Sequence, residues 1–316
     1  MEARMKHDTI VQKMSDGFEI SIHRWLPART VKGVVLLSHG MAEYAERYMR
    51  FGTLLAKNGI AFIAEDHRGH GETAENAEKN GTGKFGYLAD KDGFFRVVDD
   101  LHEECLALRQ SYPGKKIILF GHSFGSFIAQ GYCEKYGDTI DGCILCGTAG
   151  PRESLTHFAR FLAATIKLFI GGRHVSLAMN AMAFGSNNAK MKNPRTEFDW
   201  LSRDTKNVDA YIADKWCGFP CTIGFFYDMF NGLCAIHTKK AMNSIPKKLP
   251  VYIICGTDDP VGTYGKTVRH LYDIYRADGI KSVELKMYDG GRHELLNETN
   301  CSEVEQDLLS FINRII

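Results

Sequence analysis

The stretch "KKIILFGHSFGS", residues 115–126, decides how this chain is read. An unbroken apolar run, Ile117–Phe120, has the length and β-branched content of a fully buried strand. It runs straight into Gly121-His122-Ser123-Phe124-Gly125, which fits G-x-S-x-G, and a helical pattern follows to Tyr136. A strand, a glycine-flanked turn and a helix in that order form a nucleophile elbow, which lifts the serine hydroxyl above the sheet. The positive end of a helix starting at Phe124 would face any negative charge developing there. G-x-S-x-G alone is a weak signal, so the rest of the chain has to supply the partners of Ser123.

Similar buried runs recur at "GVVLLSHG" (33–40), "IAFIAED" (60–66), "DGCILCGT" (141–148) and "LPVYIICGT" (249–257), and "SVELKMYDG" (282–290) reads as a later strand. Helical patterns lie between them over 48–58, 93–112 and 264–278, and "SEVEQDLLSFINRI" closes the chain. "TIVQKM" and "FEISIHRW", separated by Ser15-Asp16-Gly17, read as a β-hairpin. Buried strands alternating with helices predict an α/β fold, a mostly parallel sheet covered on both faces. The alternation stops from Pro151 to Lys248, where a helical, aromatic-rich segment replaces it. Residues 1–150 and 249–316 are therefore expected to form one core, with 151–248 inserted after the sixth strand as a helical cap over the ligand crevice. Leu155, Phe158, Leu162, Ile166 and Phe169 mark one amphipathic cap helix, and Asp204 or Asn207 caps another.

A serine hydroxyl attacks only when a base takes its proton. In this topology the acid and the histidine follow the serine in chain order. "GTDDPVG" (256–262) puts Asp258 and Asp259 directly after one strand, and "GGRHELLNE" (290–298) puts His293 after the next. Asp259 is the preferred orienter of His293, with Asp258 as the alternative. In the first such loop, "SHGMAEYAERY" (38–48), the Met41 amide is the natural second oxyanion donor beside that of Phe124. His39 is expected to hold this loop by hydrogen bonds rather than to do chemistry.

Composition narrows the classes further. The chain has 316 residues and a formal net charge of +1, with acidic and basic residues interleaved, so no nucleic-acid surface is expected. No stretch has the roughly 20 apolar residues of a membrane span. The first residues, with no apolar core, do not read as a secretory signal. Nine cysteines form no even framework and read as reduced thiols of a cytoplasmic protein. Cys143 and Cys146 sit at an odd spacing in one strand and point to opposite faces. Cys217 and Cys221, with His237, form at best a weak disulfide or metal candidate. "DHRGHG" (66–71) supplies only His67 and His70, short of a metal-ligand set; Asp66 and Arg68 are expected to satisfy buried backbone or each other. No metal and no cofactor is expected.

Taken together, "SHGMAEYAERY", "AEDHRGHGET", "GHSFGS", "GTDDPVG" and "GGRHELLNE" resemble the α/β-hydrolase fold. More closely they resemble its monoacylglycerol lipase and lysophospholipase branch, the serine aminopeptidase-like family. The cap stretch "FDWLSRDTKNVDAYIADKWCGF" (198–219) is similar to caps of bacterial members. The resemblance implies Ser123, Asp259 and His293 as triad, Met41 and Phe124 as oxyanion donors, and hydrolysis of a carboxylic ester whose acyl chain lies in an apolar tunnel under the cap. Phe124, Phe158, Phe225 and Phe226 are the candidates to line that tunnel. The apolar cap helix around Phe158–Ile170 adds the expectation of transient contact with lipid surfaces. Two other readings stay open: a peptidase or amide hydrolase of the same fold, with Glu197, Asp209 or Asp214 receiving a substrate amine, and a ligand-binding protein with a vestigial site.

Overall fold

The computed structural model describes residues 5–316. Eight strands form one sheet: β1 (Lys6–Lys13), β2 (Glu19–Leu26), β3 (Gly33–Ser38), β4 (Ile60–Glu65), β5 (Lys116–His122), β6 (Gly142–Cys146), β7 (Val251–Gly256) and β8 (Val283–Tyr288). Their order is β1-β2-β4-β3-β5-β6-β7-β8. β1 and β2 form the expected antiparallel hairpin, β2 pairs antiparallel with β4, and every later pair is parallel. From β3 the chain crosses to β4 on one side, then returns to place β5 on the other. That reversal opens a crevice at the carboxyl ends of β3 and β5, the strands that end in the Gly40 loop and in Ser123.

The helices are α1 (Met49–Lys57), α2 (Gly71–Lys79), α3 (Gly93–Ser111), α4 (Phe124–Tyr136), α5 (Glu153–Ile170), α6 (Leu177–Phe184), α7 (Thr205–Ala213), α8 (Ile223–Ile236), α9 (Lys239–Ser244), α10 (Lys266–Ala277) and α11 (Cys301–Asn313). The period-2 alternation of the strands feeds two cores. Val34, Leu36, Ile117, Leu119 and Ile253 face a core with residues of α3, α4, α8 and α10. Val35, Leu37, Ile118, Phe120 and Ile254 face another with residues of α1 and α11. Cys143 belongs to the first core and Cys146 to the second, as the odd spacing requires, and all nine cysteines are free thiols.

Five helices, α5–α9, lie between β6 and β7. Asp204, not Asn207, caps α7: its carboxylate accepts the Lys206 N–H, and Asn207 lies inside the helix. α8 carries the aromatic run, and Phe225 and Phe226 are fully buried in the same core as α3 and α4. The stripe expected on α5 divides. Ala163 is buried and Ile166 partly buried against the core, whereas Leu155, Phe158 and Phe169 face solvent. α2 went unforeseen because its buried face consists of Gly71, Thr73, Ala74 and Ala77, which carry little hydropathy signal. No helix among the described residues is long and apolar enough to cross a membrane.

Candidate active site

Ser123 has φ 52° and ψ −121°, a strained conformation for a residue with a side chain. Packing enforces it. The Ser123 N–H donates to the Cys146 carbonyl of the neighbouring strand (3.0 Å), and its own carbonyl accepts from the Ser126 N–H (2.8 Å) and hydroxyl (2.6 Å). The flanking glycines are required by close approach. A Cβ on Gly125 would collide with the Ser38 and His39 carbonyls, and one on Gly121 would lie 2.5 Å from the Gly125 carbonyl.

The turn after β7 and the loop after β8 are stitched together. The Asp258 N–H donates to the Gly291 carbonyl (2.9 Å), and the Gly290 N–H to the Thr257 hydroxyl (2.8 Å). Asp259, fully buried, holds the Val261 N–H on Oδ1 (2.9 Å) and the His293 ring on Oδ2 (3.0 Å from Nδ1). Asp258 is exposed and makes no such bond. The Nδ1–H···carboxylate bond leaves Nε2 of His293 as the basic nitrogen. His293 and Ser123 line one cavity of about 460 Å³. Among the described residues no hydrogen bond joins the Ser123 hydroxyl to His293, and in unliganded sites that bond is often long.

Met41 also lines this cavity. Phe124 is the first residue of α4, so its N–H is one of those with no acceptor inside the helix. His39 braces the loop: Nδ1–H donates to the Gly40 carbonyl (2.7 Å) and Nε2 accepts the His67 N–H (3.0 Å). Burial and the neighbouring His67 push its pKa down to about 3, so it stays neutral. Asp66 accepts the Ala45 and Glu72 N–H groups (2.8 Å each), while Arg68 pairs with Asp100 and Asp16; the two do not pair with each other.

The phenylalanines expected to line an acyl tunnel lie elsewhere. The side chains of Phe124, Phe225 and Phe226 are buried in the main core, and Phe158 faces solvent on α5; none lines the cavity. Its apolar walls come instead from Leu177, Phe184, Phe198, Trp200, Leu201 and Phe219. These positions are scattered along the insertion with no period, which is why the sequence did not mark them.

The polar end holds a buried network that was also missed. Glu43 Oε1 accepts from the Gly40 N–H (2.6 Å), the Tyr48 hydroxyl (2.8 Å) and His122 Nδ1 (2.9 Å). Arg47 bridges Glu43 (2.7 Å) to Glu294, which it holds with two bonds (2.7 and 2.8 Å). Burial works against the Glu43 charge, but the His122 bond and the Arg47 charge outweigh it and hold the carboxyl well below its usual range. The Glu43/Arg47 spacing of four residues in "SHGMAEYAERY" was the available signal; Glu294, 247 residues on from Arg47, had none. Glu197 lines the cavity, whereas Asp209 and Asp214 do not. The insertion reaches the loop after β3 directly, since the Ala42 carbonyl accepts from the Gly218 N–H and the Tyr211 hydroxyl (3.0 Å each).

Known proteins resemble this arrangement over nearly its whole length. The family model described as serine aminopeptidase, S33, matches residues 29–300. Monoacylglycerol lipase from Mycolicibacterium smegmatis is 26% identical over 299 residues, covering 94% of this chain and 93% of that protein. Human monoglyceride lipase is 25% identical over 304 residues, covering 95% of this chain and 87% of the other. A thermostable carboxyl esterase from Bacillus coagulans, solved with glycerol, superposes with TM-score 0.90 at 29% identity and 99% coverage of both chains. A lipase solved in an open form gives TM-score 0.85 at 27% identity, over 98% of this chain and 99% of that one. With the strand–elbow–helix unit, the sheet order and the matched span all in agreement, this chain belongs to the serine aminopeptidase S33 family of α/β-hydrolases and is a serine hydrolase of the esterase and lipase type.

Proposed function

We propose that Ser123, His293 and Asp259 hydrolyse carboxylic esters carrying a single acyl chain, of the monoacylglycerol or lysophospholipid kind. The observation carrying this reading is that Ser123 and His293 share one apolar-walled cavity, with Nδ1 of His293 anchored on buried Asp259. His293 Nε2 takes the Ser123 proton as Oγ attacks the ester carbonyl. The Met41 and Phe124 amides receive the oxyanion, a contribution of roughly 3 kcal/mol per donor in related chemistry. The tetrahedral intermediate collapses as His293 returns the proton to the departing alcohol. Water, deprotonated by the same histidine, then releases the acid and restores Ser123. The relatives named as monoglyceride lipases and the glycerol-bound esterase support this substrate class.

An amine-bearing peptide substrate fits less well. Two of the three carboxylates at the cavity, Glu43 and Glu294, are already paired with Arg47, and the third, Glu197, is exposed. In this reading residues 151–248 act as the cap, with Leu177, Phe184 and Trp200 receiving the acyl chain. The cap also meets the lipid surface through the exposed apolar side chains of α5 and α6. Turnover of monoacylglycerols, lysophospholipids, p-nitrophenyl esters and aminoacyl amides tests the assignment. Acyl esters should be cleaved at least about a hundredfold faster than the amides; preferential amide cleavage would reverse it.

A further inference from the structure

Outside the cavity, His7, His23 and Glu46 bring three ligand atoms together on one face of the β1–β2 hairpin, all within 4.8 Å of one another, with His23 buried and His7 and Glu46 partly exposed. We propose that they form a site for a divalent transition-metal ion of the zinc type, with a fourth position open to water.

The hairpin register builds the pair of histidines. His7 pairs with Trp25 and Thr9 with His23, so His7 and His23 are diagonal neighbours on one face. Glu46 arrives from the short 3₁₀ turn Ala45–Tyr48. Its Oε1 lies 3.6 Å from His7 Nε2 and 3.7 Å from His23 Nδ1. Tetrahedral zinc with bonds of about 2.0–2.1 Å sets ligand atoms roughly 3.3–3.4 Å apart, so Glu46 Oε1 would move a few tenths of an ångström towards each imidazole, and the two imidazole nitrogens, within 4.8 Å of each other, would draw together as the ion binds.

The surroundings are arranged as a metal ligand requires. His23 Nε2 bonds the Asp66 carboxylate (3.1 Å), and Asp66 is itself fixed by two backbone N–H groups. Such a carboxylate–histidine pair sets the tautomer that leaves Nδ1 basic. At present the Thr9 hydroxyl meets that nitrogen (3.1 Å), and it would yield to the ion. His7 is held flat against Trp25, ring centroids 4.5 Å apart and planes 11° apart, so its rotation is restricted beforehand. Asp66 and Glu46 add negative charge, while Arg24 and Lys6 are both engaged by Asp8. The His7 and Glu46 side chains are 26% and 36% exposed, which leaves an entry path. An ion here would tie the hairpin to the turn that follows the Met41–Glu43 loop.

The full chain, stripped with chelator, is titrated with Zn²⁺ and separately with Co²⁺, alongside His7→Gln and Glu46→Gln. Both residues are partly exposed and lie outside the catalytic cavity, so these variants are expected to fold. The proposal predicts one tight equivalent of zinc and a zinc-dependent rise in Tm. It also predicts tetrahedral Co²⁺ d–d bands without a thiolate charge-transfer band, and affinity at least about tenfold weaker in each variant. Absence of binding, uptake unchanged in both variants, or a thiolate band showing that the cysteines hold the ion would each overturn it.

Discussion

Glu43 gathers four groups onto one buried carboxylate at the edge of the cavity. Its carboxylate carries the Gly40 N–H, the Tyr48 hydroxyl, His122 and Arg47 at once, and it is 3% exposed. The Gly40 bond holds the 39–40 peptide, and the His39 ring on the Gly40 carbonyl (2.7 Å) holds the next one, the peptide that carries the Met41 N–H. A Cβ on Gly40 would lie 2.5 Å from Glu43 Oε1, which explains why glycine stands there. Glu43→Gln keeps the shape but removes the charge and turns one acceptor into a donor. The loss is about 1–3 kcal/mol, felt mainly where the oxyanion forms. We expect kcat to fall about ten- to a hundredfold with KM changed less than about threefold, together with a lower Tm. An effect confined to KM would show that Glu43 serves ground-state binding instead. The sequence pointed to Ser123, His293 and the Asp258/Asp259 turn because each follows its own strand. Choosing Asp259 rested on its position beside Pro260, and the structure shows it buried where Asp258 is exposed. Glu294 stayed hidden because its partner Arg47 is distant in the chain and adjacent only after folding.

At the scale of elements, periodicity identified most strands and helices but not which faces they bury. α5 is apolar on more than one side, so the 3–4 spacing through Phe158 and Phe169 marked an amphipathic helix without deciding which residues pack. Burial goes instead to the side with Ala163, turned towards α8. The exposed remainder is large: Phe158 is 64% exposed, Phe161 69%, Leu168 79%, Phe169 81% and, on α6, Leu177 72%. Isolated exposed apolar residues are ordinary, but this many on one helix and the next motivates the lipid contact proposed above. Phe169→Asp and Leu168→Asp place charges there without touching the core. In co-sedimentation with phospholipid vesicles, each is expected to weaken binding at least about fivefold, while turnover of a water-soluble p-nitrophenyl ester stays within about twofold. Unchanged vesicle binding would remove this surface from the account. α8 teaches the complementary lesson. Its aromatic run suited either a pocket or a core, and packing against α3 and α4 made it core.

For the molecule as a whole, the sheet order does most of the assembly. β3, β5, β7 and β8 end on one edge, so loops separated by up to about 250 residues converge above the reversal between β3 and β5. That convergence was legible, since each loop follows a recognisable buried strand. The cavity walls were not, because the insertion contributes Phe184, Phe198, Trp200 and Phe219 from turns and short helices whose placement depends on the folded core. Ser123 is held strained at the floor of that cavity and His293 stands on buried Asp259 at its side. Labelling with a fluorophosphonate, followed by mass spectrometry of the intact chain and of its peptides, addresses the assignment at its centre. One adduct per chain is expected, on Ser123, with Ser123→Ala folded, unlabelled and slower on p-nitrophenyl esters by about 10⁴-fold or more. A folded Ser123→Ala that still labels, or that keeps most of its turnover, would contradict it.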